Sequence, residues 1–93
     1  MDIDDAREQL EDLLAGESAL SHLQIKKRGA SLSLHSGQSP NENKHARFTH
    51  LRGPIWGLSF PHHSGRWETT PFTGSLEELL QTLVNDFSFF LDP

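Results

Sequence analysis

The sequence contains no cysteine among its 93 residues. This absence excludes a disulfide framework, a thiolate nucleophile and a cysteine-based zinc site, and it suits a reducing compartment. The chain also lacks any apolar run approaching the roughly 18–20 residues of a membrane-spanning helix. Its first residues, MDIDDAREQL, are acidic where a secretory signal would be basic. We therefore expect a cytoplasmic protein that does not associate with a membrane.

Apolar residues are scarce as well, at 34% of the chain. The length is below the usual size of about 100–200 residues per domain, so we predict one domain over residues 1–93. A chain this short buries only roughly 60–65% of its unfolded surface. The core must therefore depend on two tryptophans, six phenylalanines and a set of leucines.

Each of three successive segments of the chain is poor in charge of one sign. Residues 1–18 carry seven acids and one base, residues 19–66 carry seven bases and one acid, and residues 67–93 carry five acids and no base. The net charge of −5 thus conceals an acid–base–acid arrangement. Such an arrangement indicates either mutual attraction between helices and sheet or a surface that recruits an oppositely charged partner.

Two segments have the apolar spacing of amphipathic helices. In residues 4–15 the apolar positions recur at helical intervals, and Gly16 is placed to end the helix. Ser75 and Glu78 have the spacing of a capping box, and a broad leucine stripe follows over residues 76–87. We predict a helix at each of these places.

The segment between the helices predicts strands. Residues 23–34 form a hairpin if Arg28 and Gly29 make the turn, with Ile25 facing Leu32. Residues 46–51, 55–60 and 66–72 form a meander in which alternation puts Trp67 and Thr69 on the same apolar face as Phe60. Residues 35–45 contain no apolar residue, so we predict a mobile polar loop there.

These elements predict an α+β fold in the order α-β-β-β-β-β-α. An antiparallel sheet of about five strands is flanked by an N-terminal and a C-terminal helix, and both helices cover its apolar face. The opposite face carries Lys26, Arg47 and Thr49 among small residues. It is therefore either solvated or used for binding.

Catalytic and metal-binding patterns are weakly represented. Of six histidines, His62 and His63 are the weak metal candidates, but a site usually needs three or four ligands. His50 points toward the aromatic face near Trp56. No phosphate-binding loop or nucleophile motif is present, and Ser64 beside His63 in a turn is not a nucleophile–base arrangement. We expect no cofactor and no enzymatic activity.

Nucleic acid is an alternative partner for the basic middle of the chain. Phe48, Trp56 and Trp67 are interleaved there with basic residues, as in single-strand binders. The predicted alternation, however, puts these aromatic rings on the core face, away from Arg47. The protein is also acidic overall, so nucleic acid is not the preferred partner.

Several motifs resemble an uncharacterised family of small bacterial domains of unknown function. They are RGASLSL at residues 28–34, Pro40, ARF at residues 46–48, and Trp56, Leu58 and Trp67 at the family's interval, followed by the leucine-rich segment 76–86. The resemblance spans about residues 20–90. It implies a helix, a run of strands and a final helix, and it implies no activity.

A second resemblance is to frataxin-like proteins. PIWGLSFP at residues 54–61 and SLEELL at residues 75–80 are similar to segments of that family. The resemblance implies an acidic iron-binding ridge formed by the first helix, made of Asp4, Asp5, Glu8, Glu11 and Asp12.

Taken together, the residues favour a small non-catalytic protein-interaction or regulatory module. The frataxin-like iron-binding protein and the nucleic-acid-binding domain are the alternatives. The candidate partner-binding residues are Lys26, Lys27, Arg28, Arg47, Asp5, Glu8 and Asp12. A free edge strand would allow pairing with a protein partner or a second copy, so we expect a monomer or a weak homodimer.

Overall fold

The computed structural model describes residues 3–17, 20, 22–37, 43–62 and 64–86. Its elements are α1 Ile3–Ala15, β1 Gln24–Arg28, β2 Ser31–Ser36, β3 Asn43–Arg52, β4 Ile55–Pro61, β5 Trp67–Gly74 and α2 Leu76–Asp86. The five strands form one antiparallel sheet in the order β1-β2-β3-β4-β5. The predicted α+β fold is confirmed. No helix within the described ranges is long and apolar enough to cross a membrane.

Both helices lie on the same face of the sheet, as predicted. They contact each other, while α1 also contacts β1 and α2 contacts β4 and β5. Leu10 of α1 and Leu83 of α2 are fully buried against the inward side chains of the central strands, including Phe48 and Leu58. The inner face of the sheet is therefore the core.

The start of α2 has the predicted capping box. The Ser75 main-chain amide donates to Glu78 Oε1 over 3.1 Å, and the Glu78 amide donates to Ser75 Oγ over 3.1 Å. Two main-chain donors that the helix cannot satisfy internally are thus paired by side chains. This explains why the helix begins at Leu76.

An ion pair ties α1 to β1. Lys27 Nζ donates to Asp4 Oδ1 over 2.6 Å, and the hydrogen bond and charge of Lys27 lower the pKa of the Asp4 carboxyl below its ordinary value of 3.8. A carboxyl whose pKa is lowered by folding stabilises the fold above its unfolded pKa, and the contribution is lost as the pH falls through the folded pKa.

We therefore expect Asp4→Asn to lower the melting temperature slightly at neutral pH and to have no effect in strong acid, well below the unfolded aspartate pKa of about 3.9. The effect is small because both side chains are exposed. Thermal melts at several pH values measure it, with Asp5→Asn as the neighbouring exposed control. A difference between Asp4→Asn and the native protein that persists in strong acid would contradict this account.

The predicted register of the first hairpin is wrong by two residues. Ile25 pairs with Leu34, not with Leu32, and the turn is made by Gly29 and Ala30. Gly29 has a φ of 57° while Ala30 does not have a positive φ, which is the pattern of a type II′ turn with glycine first. Because side chains alternate with a period of two, a shift of two residues leaves every side chain on its predicted face.

The predicted face of Trp67 and Thr69 is also wrong, with a larger consequence. Trp67 pairs with Pro61, and Phe60 pairs instead with Glu68. The loop is closed by main-chain hydrogen bonds from His62 to Arg66 and from Gly65 to His62. A shift of one residue moves the strand's side chains to the other face, so Trp67 and Thr69 lie on the outer face.

The predicted loop at residues 35–45 is shorter than expected. β2 extends to Ser36 and β3 begins at Asn43, while residues 38–42 lie outside the described part of the chain. Polar side chains are accommodated in these strand ends by a buried hydrogen bond between Ser36 Oγ and His45 Nε2, 2.8 Å long. A register shift beside His35 leaves His45 as an additional, buried residue on β3.

Candidate anion-binding site

A concave basic site lies on the outer face of the sheet, formed by β1, β2, β3 and the start of β5. It encloses about 240 Å³. We call it the basic cavity, and its lining residues are Lys26, Arg28, Ser33, His35, Lys44, Arg47 and Trp67. Four of the seven are cationic, and no acidic side chain is present among these lining residues.

The register of the strands explains why the bases converge. Lys26 of β1 pairs with Ser33 of β2, which in turn pairs with Arg47 of β3, while His35 pairs with Lys44. Neighbouring strands are about 4.8 Å apart, so long side chains stand on either side of a small serine. The lining residues of β2 are Ser33 and His35, and the long basic side chains of β1 and β3 lie on either side of them.

Arg47 is held in place by two contacts. Its guanidinium carbon lies 4.4 Å from the centroid of the Trp67 ring, and its Nε donates to Ser33 Oγ over 3.4 Å. Ser59 of β4 lies between Arg47 of β3 and Thr69 of β5 in the ladder, so the side chain between them on this face of the sheet is small. The stack on Trp67 fixes the plane of the guanidinium.

The charged residues that line the basic cavity are all of one sign. Burial, and after it the charge of Arg28, lower the pKa of the Arg47 guanidinium, which nevertheless stays protonated at neutral pH. An anion in the basic cavity would relieve this repulsion and replace the water lost on burial.

His35 adds an unsatisfied hydrogen-bonding atom to the wall. The residue is 9% exposed, and its Nδ1 is buried with no hydrogen-bond partner in the described part of the chain. Buried polar atoms are paired in the great majority of cases, so each exception requires an explanation. Here the orphaned nitrogen belongs to a residue that lines the basic cavity.

The structure brings together only some of the predicted partner-binding residues. Lys26, Arg28 and Arg47 share the basic cavity, whereas Lys27 lies on the opposite face and pairs with Asp4. Sequence reasoning missed Lys44 and His35 because they fell in the predicted loop. It missed Trp67 because the register was off by one residue.

The other predicted surface is the acidic side of α1. Asp5, Glu8 and Asp12 are exposed, but their neighbour Glu11 is paired with Arg7 over 3.3 Å. In the described ranges no three histidine or carboxylate side chains are close enough to hold a metal ion. The acidic side chains thus form a solvated helix face in this structure.

The loop before β5 contains the remaining polar cluster. His62 Nδ1 accepts hydrogen bonds from the Ser64 amide, over 3.2 Å, and from the Ser64 hydroxyl, 2.9 Å away. Its Nε2 lies 4.0 Å from Glu68 Oε1. Because both hydrogen bonds come from a residue only two positions along the chain, they stabilise the turn. The other metal candidate, His63, lies outside the described residues.

His50 has the environment that was predicted for it. It is half-buried opposite Trp56 with the ring centroids 5.0 Å apart, and its Nε2 is 2.8 Å from the Gly53 carbonyl oxygen. A histidine satisfied in this way is part of the packing beside the second hairpin turn, and it faces away from the basic cavity.

Comparisons with protein-family models, with curated proteins and with solved structures found no match for this chain. Function must therefore be argued from the site and not from the fold. The feature of the described surface with the most specific chemistry is the basic cavity, since it combines converging cations, a stacked arginine and an orphaned imidazole nitrogen.

Proposed function

We propose that this protein is a non-catalytic binding module whose basic cavity receives an anionic group of a partner. The observation that carries the proposal is the convergence of Lys26, Arg28, Lys44 and Arg47 around one concavity whose lining residues include no acid. Such a concentration of positive charge attracts and orients an anionic ligand, especially at low salt.

The chemistry of the lining supports binding over catalysis. A hydrolytic or transfer reaction needs a nucleophile and a base within hydrogen-bond reach of each other. The hydroxyl in the lining, that of Ser33, accepts a hydrogen bond from Arg47 and contacts no carboxylate in the described structure. Arginine at such a site is a bidentate donor to carboxylate or phosphate.

Two partner classes present suitable anions. An acidic protein segment offers carboxylates, and this is the protein-interaction module expected from the sequence. A nucleic acid offers phosphates, and a specific observation favours it: Trp67 is on the same face as Arg47 and stacks with it. The sequence predicted that the aromatic rings lie on the face opposite Arg47, and for Trp67 this prediction is wrong.

We expect Arg47→Glu to weaken binding of an anionic probe at least about 10-fold, because it removes one cation and adds a negative charge beside Arg28. The probes are a fluorescein-labelled glutamate-rich peptide and a labelled short oligothymidylate. Anisotropy titrations at low salt measure both affinities. The salt dependence of oligothymidylate binding should become shallower by a slope of about 0.7–1.

Arg52→Glu is the matched control, because Arg52 is exposed at the end of β3 and does not line the basic cavity. It changes the net charge equally and should retain most of the affinity. Equal losses in the two variants, or no saturable binding of either probe by the native protein, would refute the proposed function. Circular dichroism establishes that both variants are folded.

A further inference from the structure

We infer that the basic cavity binds a nucleotide unit, with the phosphate among Arg28, His35 and Arg47 and the base beside Trp67. The inference rests on the proposed function and narrows its ligand. A free mononucleotide and one residue of a single strand share this chemistry, and the experiment below distinguishes these two sources.

The donors around the basic cavity suit a tetrahedral oxyanion. Arg28, His35 and Arg47 come from three adjacent strands, so their donors approach a bound group from different sides. A phosphate has several acceptor oxygens directed to different sides, whereas a carboxylate is planar and has two. His35 also lines the basic cavity, and its Nδ1, protonated in one neutral tautomer, has no hydrogen-bond partner in the described part of the chain.

Trp67 joins the basic cavity to a second concavity. The second one encloses about 280 Å³ and is lined by His62, Ser64, Arg66, Trp67 and Glu68. The half-buried indole therefore belongs to the walls of both. A planar ring in the second concavity would lie beside the indole while its attached phosphate remains among the arginines. Aromatic side chains stack nucleobases of every type in this manner.

The charges of the two concavities favour a nucleotide over an acidic peptide. The second concavity contains one cation, Arg66, and one carboxylate, Glu68, so it has no excess positive charge to hold a second anion, while the Glu68 carboxylate can accept a hydrogen bond from a base amino group. A chain of carboxylates gains from the basic cavity but meets no net positive charge beside Trp67. A ligand with an anionic end next to a neutral aromatic ring complements both.

The test titrates the folded protein with four probes: adenosine monophosphate, short oligothymidylate, inorganic phosphate and a glutamate-rich peptide. Amide shifts in a nitrogen–proton NMR spectrum locate binding, and tryptophan fluorescence reports on Trp67, since Trp56 is buried. We expect saturable shifts at Ser33, His35, Arg47 and Trp67, with quenching by a nucleotide probe and not by phosphate.

Trp67→Ala should weaken binding of the nucleotide probe about 10-fold, weaken binding of inorganic phosphate less because only the stack that orients Arg47 is lost, and be largely rescued by Trp67→Phe. Phe72→Ala, at an exposed aromatic position of β5 that lines neither concavity, is the control. A Trp67→Ala variant that binds nucleotides as well as the native protein does would overturn the inference.

The probe pattern separates the outcomes. Tight binding of adenosine monophosphate supports a free nucleotide, whereas tight binding of oligothymidylate alone supports a single strand. Binding of the glutamate-rich peptide in the basic cavity, without either nucleotide probe, overturns this inference and leaves the proposed function standing. If no probe shifts the amides of the basic cavity, both are wrong.

Discussion

Phe48→Ala is expected to lower the free energy of unfolding by about 3–5 kcal/mol. Phe48 has no exposed surface, lies in the central strand β3 and pairs with Leu58 on the inner face. Removing the ring loses its burial and leaves a cavity that a five-stranded sheet covered by two helices cannot fully close. Total stabilities of domains are only about 5–15 kcal/mol, so a large fraction of the variant should be unfolded at ambient temperature.

Urea denaturation followed by circular dichroism measures the change in unfolding free energy. The matched control is Phe72→Ala, since Phe72 is 38% exposed, and its loss should cost no more than about 1 kcal/mol. Should the Phe48→Ala variant unfold too readily to measure, Phe48→Leu gives the same comparison with a smaller cavity. Equal costs at the two positions would mean that Phe48 is not in the core.

Ser36→Ala is expected to cost about 1–3 kcal/mol, more than removal of an exposed hydroxyl. Ser36 is 5% exposed and His45 is 2% exposed, and the bond between Ser36 Oγ and His45 Nε2 lies at the ends of β2 and β3. The alanine variant removes a partner of a buried ring nitrogen without giving water access to it. The cost is then mainly the desolvation of that nitrogen.

Thermal and urea denaturation measure this change against Ser64→Ala, where the hydroxyl lost is bonded to His62 but exposed to water, so that its expected effect is within about 0.5 kcal/mol. The double variant Ser36→Ala with His45→Leu removes both polar partners and should recover part of the loss. A Ser36→Ala variant as stable as the native protein would show that the buried bond contributes nothing.

The elements of this fold could be predicted because each has a local signal. The apolar stripe of α1 and the capping box of α2 are read from consecutive residues, and both helices begin within a residue of the predicted positions. Alternation also identified Phe48, Trp56 and Leu58 as inward side chains. These signals need no knowledge of which residues meet across the sheet.

The site could be predicted only in part because it depends on pairing between strands. The pairing of β1 with β2 was predicted two residues out of register, which left every side chain on its predicted face because side chains alternate with a period of two. The loop before Trp67 was misplaced by one residue, and that error alone put the ring in the core. Lys44 and His35 lie in strand ends without apolar residues, so these segments have no alternation of apolar and polar residues that would predict a strand.

The position of α2 after all five strands has a consequence for synthesis. A ribosome makes the chain from its amino terminus, so β4 and β5 emerge before the helix that packs on them. Until Leu79, Leu80 and Leu83 follow, the inward side chains of these strands have no cover from α2. These strands therefore gain full cover of their apolar face only when α2 has been made, and uncovered apolar sheet surface of this kind is what makes partly folded chains prone to aggregation.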